Sequence, residues 1–237
     1  MTVVALMAGT GSDDDYLRRA FGPAVTAAGG ELAALRPSAD VIDGYRRTLD
    51  DLAAAHGGIV VGGVSLGALA GLRWALDHTG DGACRGVLAA LPPWTGEPGG
   101  SIASLSAAHT AASVENDGLD ATIAAMRAGS PDWLADELER SWRALAPLGL
   151  AEQLRAASAY PGPGAEALTQ LDVPLALMAS TGDLLHPESV AREWAGLAPR
   201  SAIEVLPIER WGPEERLVGD ACLRAWRAAG GPDLGAP

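Results

Sequence analysis

The pentapeptide Gly63-Val64-Ser65-Leu66-Gly67 sets one hydroxyl between two glycines. A serine hydroxyl is a poor nucleophile by itself. It attacks a carbonyl when a base takes its proton, a third group orients the base, and N–H donors receive the developing oxyanion. The surroundings of Ser65 suit that task. The β-branched run Ile59-Val60-Val61 precedes it, and the helix-forming Ala68, Leu69 and Ala70 follow it. A strand that enters a helix through a tight turn lifts the apex serine above the sheet edge, and small flanking residues make the turn possible. The helix N-terminus under the serine favours negative charge.

The elements that must position Ser65 alternate along the chain. Residues 2–7 read as a first strand, followed by a loop over 8–12. Asp13, Asp14 and Asp15 open a helix that runs toward Ala28, since acidic residues suit a helix N-terminus. A short strand is predicted over 31–35 and a helix over 41–56, with Val41, Tyr45, Leu49, Leu52 and Ala53 on one face. Strand 59–62, helix 66–78 and strand 86–91 come next. From Trp94 to about Leu171 strands disappear. Ser130-Pro131 reads as a helix start, with serine at the N-cap and proline at the first helical position. Alternation then resumes with strand 173–179, helix 187–197, strand 202–206 and helix 214–229, and residues 230–237 are expected to fray. The pattern predicts an α/β fold: a mainly parallel sheet of about six strands, helices on both faces, and right-handed crossovers. The whole chain, 1–237, reads as a single domain with a helical insert over 92–171.

The Ser65 turn in its strand–helix context, with this strand order, resembles the nucleophile elbow of the α/β-hydrolase family. The resemblance spans nearly the whole chain, in a minimal version without the family's first two antiparallel strands, and it makes the insert a lid. It implies an oxyanion hole from the backbone N–H after the nucleophile, that of Leu66, and a second N–H from the loop after the first strand. That loop, Ala8-Gly9-Thr10-Gly11, keeps the glycines of the family's H-G-x-G pattern without its histidine, and Thr10 or Gly9 is the expected second donor. Gly182-Asp183 before Pro187 resembles the family's acid loop and makes Asp183 the candidate acid.

Triad order in the family is serine, acid, histidine, with the histidine after the last strand. Here that stretch reads Leu206-Pro207-Ile208-Glu209-Arg210-Trp211-Gly212-Pro213, and Arg210 stands about where the histidine belongs. Arginine stays protonated and cannot act as a general base. The chain has 4 histidines. His56 and His78 read as surface residues far from the elbow, and His109 falls in the insert. His186 lies three residues after Asp183, at the strand edge where open α/β sheets build their sites. His186 is the first candidate base and His109 the second.

Composition removes other chemistries. The net charge of −13 opposes nucleic-acid binding. All 17 basic residues are arginine, which excludes a Schiff-base lysine, a P-loop lysine and a Ser-Lys dyad. Gly9-Thr10-Gly11 begins a dinucleotide pattern, but the third glycine would fall at Asp14, within an acidic run that repels a pyrophosphate. No cluster has metal-ligand spacing, so no metal or cofactor is expected. There is no apolar run long enough to span a membrane and no signal-like N-terminus. Cys84 and Cys222 read as separate buried thiols, which fits a cytoplasmic location. Trp133 and Trp142 sit at helical spacing, which suits core positions; facing the site instead, they would make its pocket apolar.

These features predict a serine hydrolase of esterase or thioesterase type, acting on a small, fairly apolar substrate. The alternative is a non-catalytic or altered protein of the same fold that binds a small ligand or partner, motivated by Arg210. A lyase or cyclase on this scaffold is a third reading by analogy.

Overall fold

The computed structural model describes residues 1–235. Strands β1 (Val3–Met7), β2 (Glu31–Leu35), β3 (Ile59–Val64), β4 (Cys84–Ala90), β5 (Leu175–Thr181) and β6 (Ser201–Pro207) form one sheet in the order β2-β1-β3-β4-β5-β6. Every pairing in it is parallel. A parallel sheet is covered on both faces, so the inner strands β1 and β3 are buried at every position, while the edge strands β2 and β6 are only partly buried. In β1, Val3, Ala5 and Met7 enter one core while Val4 and Leu6 enter the other. The first core takes Tyr45 and Leu49 of α2 (Val41–His56), Trp74 of α3 (Leu66–Asp77) and Trp194 of α9 (Glu188–Leu197). The second takes Leu17 and Phe21 of α1 (Asp14–Ala27) and Val218 and Trp226 of α11 (Arg216–Ala228).

Between β4 and β5 lie α4 (Ile102–Asp117), α5 (Leu119–Ala128), α6 (Asp132–Leu145), a short 3-10 turn, α7 (Leu150–Ser158) and α8 (Ala165–Leu168). Ala107, Ala111, Ile123, Trp142, Leu145, Leu150 and Leu154 give this insert a small core of its own. Chain order reverses between β1 and β3: β2 lies on one side of β1, and β3 to β6 on the other. The crevice at such a reversal, beyond the C-terminal strand ends, is where open α/β sheets accept ligands. The loop after β1 and the turn after β3 both open there.

Several sequence expectations shift. Helix α6 begins at Asp132, with Pro131 and not Ser130 at its N-cap; Pro131 has a ψ of 152°, which is extended, and Ser130 caps nothing. Strand β5 starts two residues later than expected because Pro174 has no N–H to give the ladder, and it continues to Thr181. The expected last helix, 214–229, is α11, and an unexpected short helix, α10 (Ile208–Trp211), precedes it and ends at Gly212-Pro213. The expected fraying fails for the described part of the tail. Thr2 N–H donates to Leu234 O at 2.7 Å, and the Leu234 side chain is buried. Residues 236–237 of that tail lie outside the described residues. Cys84 and Cys222 are separate and buried; burial pushes the Cys84 thiol up to about 12 and raises Cys222 as well. Among the described residues, no helix is long and apolar enough to cross a membrane and no group of side chains could hold a metal ion.

Candidate active site

Ser65 sits between the end of β3 and the first residue of α3 with φ 53° and ψ −108°. A non-glycine residue held at positive φ is strained, and such strain persists only where the surroundings enforce it. The enforcement here is close packing. A Cβ on Gly63 or on Gly67 would collide with Met7 O at the end of β1. Only glycine before and after the serine lets the turn pass this close to the neighbouring strand. Ser65 N–H donates to Ala90 O at 2.9 Å, and its carbonyl accepts from Leu69 N–H, the first bond of α3. The Ser65 side chain does not cap the helix. The N–H groups of the first turn of α3, that of Leu66 foremost, therefore have no intrahelical acceptor and face the serine's end of the helix.

The Ser65 hydroxyl meets His186. Nε2 of His186 lies 2.9 Å from Ser65 Oγ, and Nδ1 lies 2.8 Å from Asp183 Oδ2. The three residues come from two loops, the turn after β3 and the segment after β5. Their spacing across that second loop is short, and Asp183 makes it workable. Its other oxygen, Oδ1, accepts from Leu185 N–H at 2.9 Å and His186 N–H at 3.2 Å. That closes the loop into a tight aspartate-anchored turn, which swings the His186 ring back over its own acid. Burial alone would raise the Asp183 carboxyl. The hydrogen bond and charge of His186, with the two backbone N–H groups, outweigh it and hold the carboxyl below its usual range. An ionised Asp183 accepts Nδ1–H, which leaves Nε2 free to accept the serine proton.

The other predicted positions fall as follows. Thr10 lines the cavity in front of Ser65, together with Gly9. The Leu66 side chain is in the core, so only its backbone can serve the site. His109 is exposed on α4 and is not among the cavity residues, although its neighbours Ser106, Ala107 and Thr110 are. His56 is exposed. His78, expected at the surface, is half-buried: its ring stacks on Trp74 at 4.0 Å, and Nδ1 lies 2.8 Å from Trp74 O. Arg210 is exposed on α10 and does not line the cavity, while its neighbours Trp211, Gly212 and Pro213 do.

The cavity measures about 290 Å³ and lies between the sheet edge and the insert. Trp94, Trp133, Trp142 and Trp211 line it, so Trp133 and Trp142 serve a wall as well as a core. Trp133 meets Trp211 edge-on at 5.8 Å, and Trp211 Nε1–H donates to Ser180 Oγ at 2.8 Å. The two non-glycine residues with positive φ among the described residues, Ser65 and Leu91, both border this space. Ionic contacts tie the insert to the helices beside the sheet. Arg140 of α6 holds both oxygens of Asp13 at 2.9 and 2.8 Å, and Glu137 at 2.6 Å. Arg19 of α1 contacts Glu137 and Glu215, each at 2.5 Å. The glycines of the loop after β1 point to the site, whereas α10 is remote from Ser65 in sequence and carries no motif that announces a cavity wall.

No family model matches the sequence, and no curated protein matches it. Solved structures do match. A bromoperoxidase from Bacillus anthracis is similar with a TM-score of 0.70 and 16% identity, over 95% of this chain and 92% of that one. The esterase RhEst1 from Rhodococcus sp. ECU1013 is similar with a TM-score of 0.68 and 18% identity, over 98% and 91%. MenH from S. aureus is similar with a TM-score of 0.68 and 16% identity, over 97% and 94%. The chain has the α/β-hydrolase fold.

Proposed function

We propose that this protein is a serine hydrolase that cleaves a small, fairly apolar ester or thioester through Ser65. The observation that carries the reading is the chain of contacts from Ser65 Oγ to His186 Nε2 at 2.9 Å and from His186 Nδ1 to Asp183 Oδ2 at 2.8 Å, with Ser65 and His186 lining the cavity. Ser65 Oγ attacks the carbonyl carbon while its proton passes to Nε2. The tetrahedral oxyanion receives N–H donors from Leu66 and Thr10, and the imidazolium is stabilised by Asp183. Collapse breaks the bond to the alcohol or thiol, which leaves with the proton from Nε2. A water then adds to the acyl-enzyme, giving its proton to the same nitrogen. The carboxylic acid departs, and Ser65 recovers its hydrogen. Residues 92–171 act as a lid that keeps bulk water from the apolar walls.

The non-catalytic reading drew its force from Arg210. A histidine from the β5 loop at hydrogen-bond distance from the serine supports catalysis over binding alone. The test is intact-protein mass after a fluorophosphonate probe. Wild type should gain one phosphonyl group, Ser65→Ala none, and His186→Ala should label at least a hundredfold more slowly, in keeping with a general base worth about 10²–10⁴. A folded wild type that stays unlabelled refutes the proposal.

A further inference from the structure

Among the described residues that line the cavity at Ser65, the fixed charges are Arg19, Glu137 and Glu215. An arginine in a substrate cavity invites a carboxylate, since its planar fork matches two oxygens. Here the fork is already filled. Nη1 donates to Glu215 Oε1 and Nη2 to Glu137 Oε2, each at 2.5 Å, and Nε donates to Asp15 Oδ2 at 3.0 Å. The guanidinium carbon also lies over the Tyr16 ring, 5.8 Å from its centre. Asp15 is one turn before Arg19 on α1, Glu137 is on α6 of the insert, and Glu215 stands just before α11. A substrate anion would have to displace carboxylates anchored on three separate elements.

The balance of charge also opposes an anion. Two carboxylates against one guanidinium leave the cavity wall one net negative charge. Arg140 is not among the cavity residues and is spent on Asp13 and Glu137. An anionic group that entered would give up its hydration and meet no free cation. Two like unit charges about 10 Å apart, at an effective dielectric constant of about 20, cost more than about tenfold in affinity.

We infer that Glu137 and Glu215 are specificity-determining residues. By occupying Arg19 and leaving the wall negative, they make the cavity select substrates whose chain carries no negative charge and reject carboxylate-bearing analogues of the same shape. The inference rests on the cavity at Ser65 being the substrate site of the proposed hydrolase.

The probes are methyl glutaramate and monomethyl glutarate, which match in shape and differ by one charge. Their methoxy group is too small to fill a cavity of about 290 Å³, so the glutaryl chain must occupy it. Binding is read by tryptophan fluorescence in the full chain carrying Ser65→Ala, since Trp94, Trp133, Trp142 and Trp211 line the cavity. At about 0.01 M salt the glutarate should bind more than about tenfold more weakly than the glutaramate, and about 1 M salt should narrow that ratio. Adding Glu215→Gln, which keeps the shape and removes the charge, should narrow the ratio at least about fivefold, whereas adding Arg19→Gln should widen it. A purely structural role would not move the ratio in opposite directions. Equal affinity, tighter binding of the glutarate or no binding of either ester overturns the inference, as does a folded Glu215→Gln protein with an unchanged ratio. Should that variant not fold, the salt series decides: a ratio that salt leaves unmoved overturns the inference. Wild type incubated with both esters separates it from the hydrolase reading. Hydrolysis of both with equal binding removes the charge selection alone, whereas selective binding of the glutaramate with no hydrolysis upholds the selection and removes the hydrolase.

Discussion

Asp183 makes two kinds of contact, and substitutions can separate them. One oxygen holds the His186 ring at 2.8 Å; the other closes the loop through Leu185 N–H and His186 N–H at 2.9 and 3.2 Å. In Asp183→Asn the amide oxygen can keep the two backbone bonds, while the amide nitrogen replaces the oxygen that faces Nδ1. A donor there selects the tautomer with hydrogen on Nε2, and that nitrogen can no longer accept the serine proton. Loss of the correct tautomer in a serine triad drops turnover about 10⁴-fold with geometry kept. Asp183→Ala loses the ring contact and both loop bonds. Bonds to a charged acceptor are worth about 1.5–3 kcal/mol each. The loop is partly exposed and water replaces some of that, so about 2 kcal/mol in total is expected. In a chain of this size that is about 4–8 °C in melting temperature. Hydrolysis of p-nitrophenyl butyrate and thermal melts of the three proteins are the assays. Both variants should lose at least 10³-fold in kcat, with the melting temperature of Asp183→Asn within about 2 °C of wild type and that of Asp183→Ala clearly lower. An Asp183→Asn protein that keeps more than a tenth of wild-type turnover would refute the assignment of Asp183 as the orienting acid.

Arg210→His places a histidine where the family's usual base would stand, yet Arg210 is exposed and outside the cavity. Esterase activity should stay within about twofold of wild type, while His186→Ala should lose about 10²–10⁴-fold; a large gain in Arg210→His would mean that His186 is not a working base. The Asp13–Arg140 contact gives a stability prediction. Burial raises the Asp13 carboxyl, but Arg140 with the Tyr16 and Asp15 N–H groups outweighs it, so its folded value lies below the ordinary 3.8. A depressed carboxyl stabilises the fold above its unfolded value, and that contribution fades as pH falls through the folded value. Asp13→Asn keeps an oxygen to cap α1 through Tyr16 N–H, so it isolates the ion pair. Arg140 is partly exposed, and the pair is therefore worth about 1 kcal/mol. Urea unfolding should show that deficit at pH 7 and a smaller one at pH 3, and a deficit that grows on acidification would contradict the pairing.

How much was legible in the sequence follows from the range of the forces involved. The strands are read from local apolar runs, and β2 and α2 fall on their predicted residues because period and breakers act over a few positions. The glycines around Ser65, taken with the strand before and the helix after, signal a close turn, since neither carries a Cβ. What they approach, Met7 O, belongs to a strand over fifty residues earlier, and only sheet pairing puts it there. Asp183 and His186 could be singled out by position, but a three-residue spacing leaves open whether one ring can face both its acid and a serine 121 residues away. That depends on the turn closed by Asp183 and on β5 lying two strands from β3, a tertiary matter. Trp211 and Ser12 carried no sign of a cavity, and the spacing of Trp142 suited the core while leaving a pocket wall open. Each fills ordinary local structure, and the insert packing across the sheet edge is what turns them toward one space. Local sequence thus determines which elements form and where a nucleophile can stand. Contacts between distant segments decide which histidine reaches it and which walls the substrate meets.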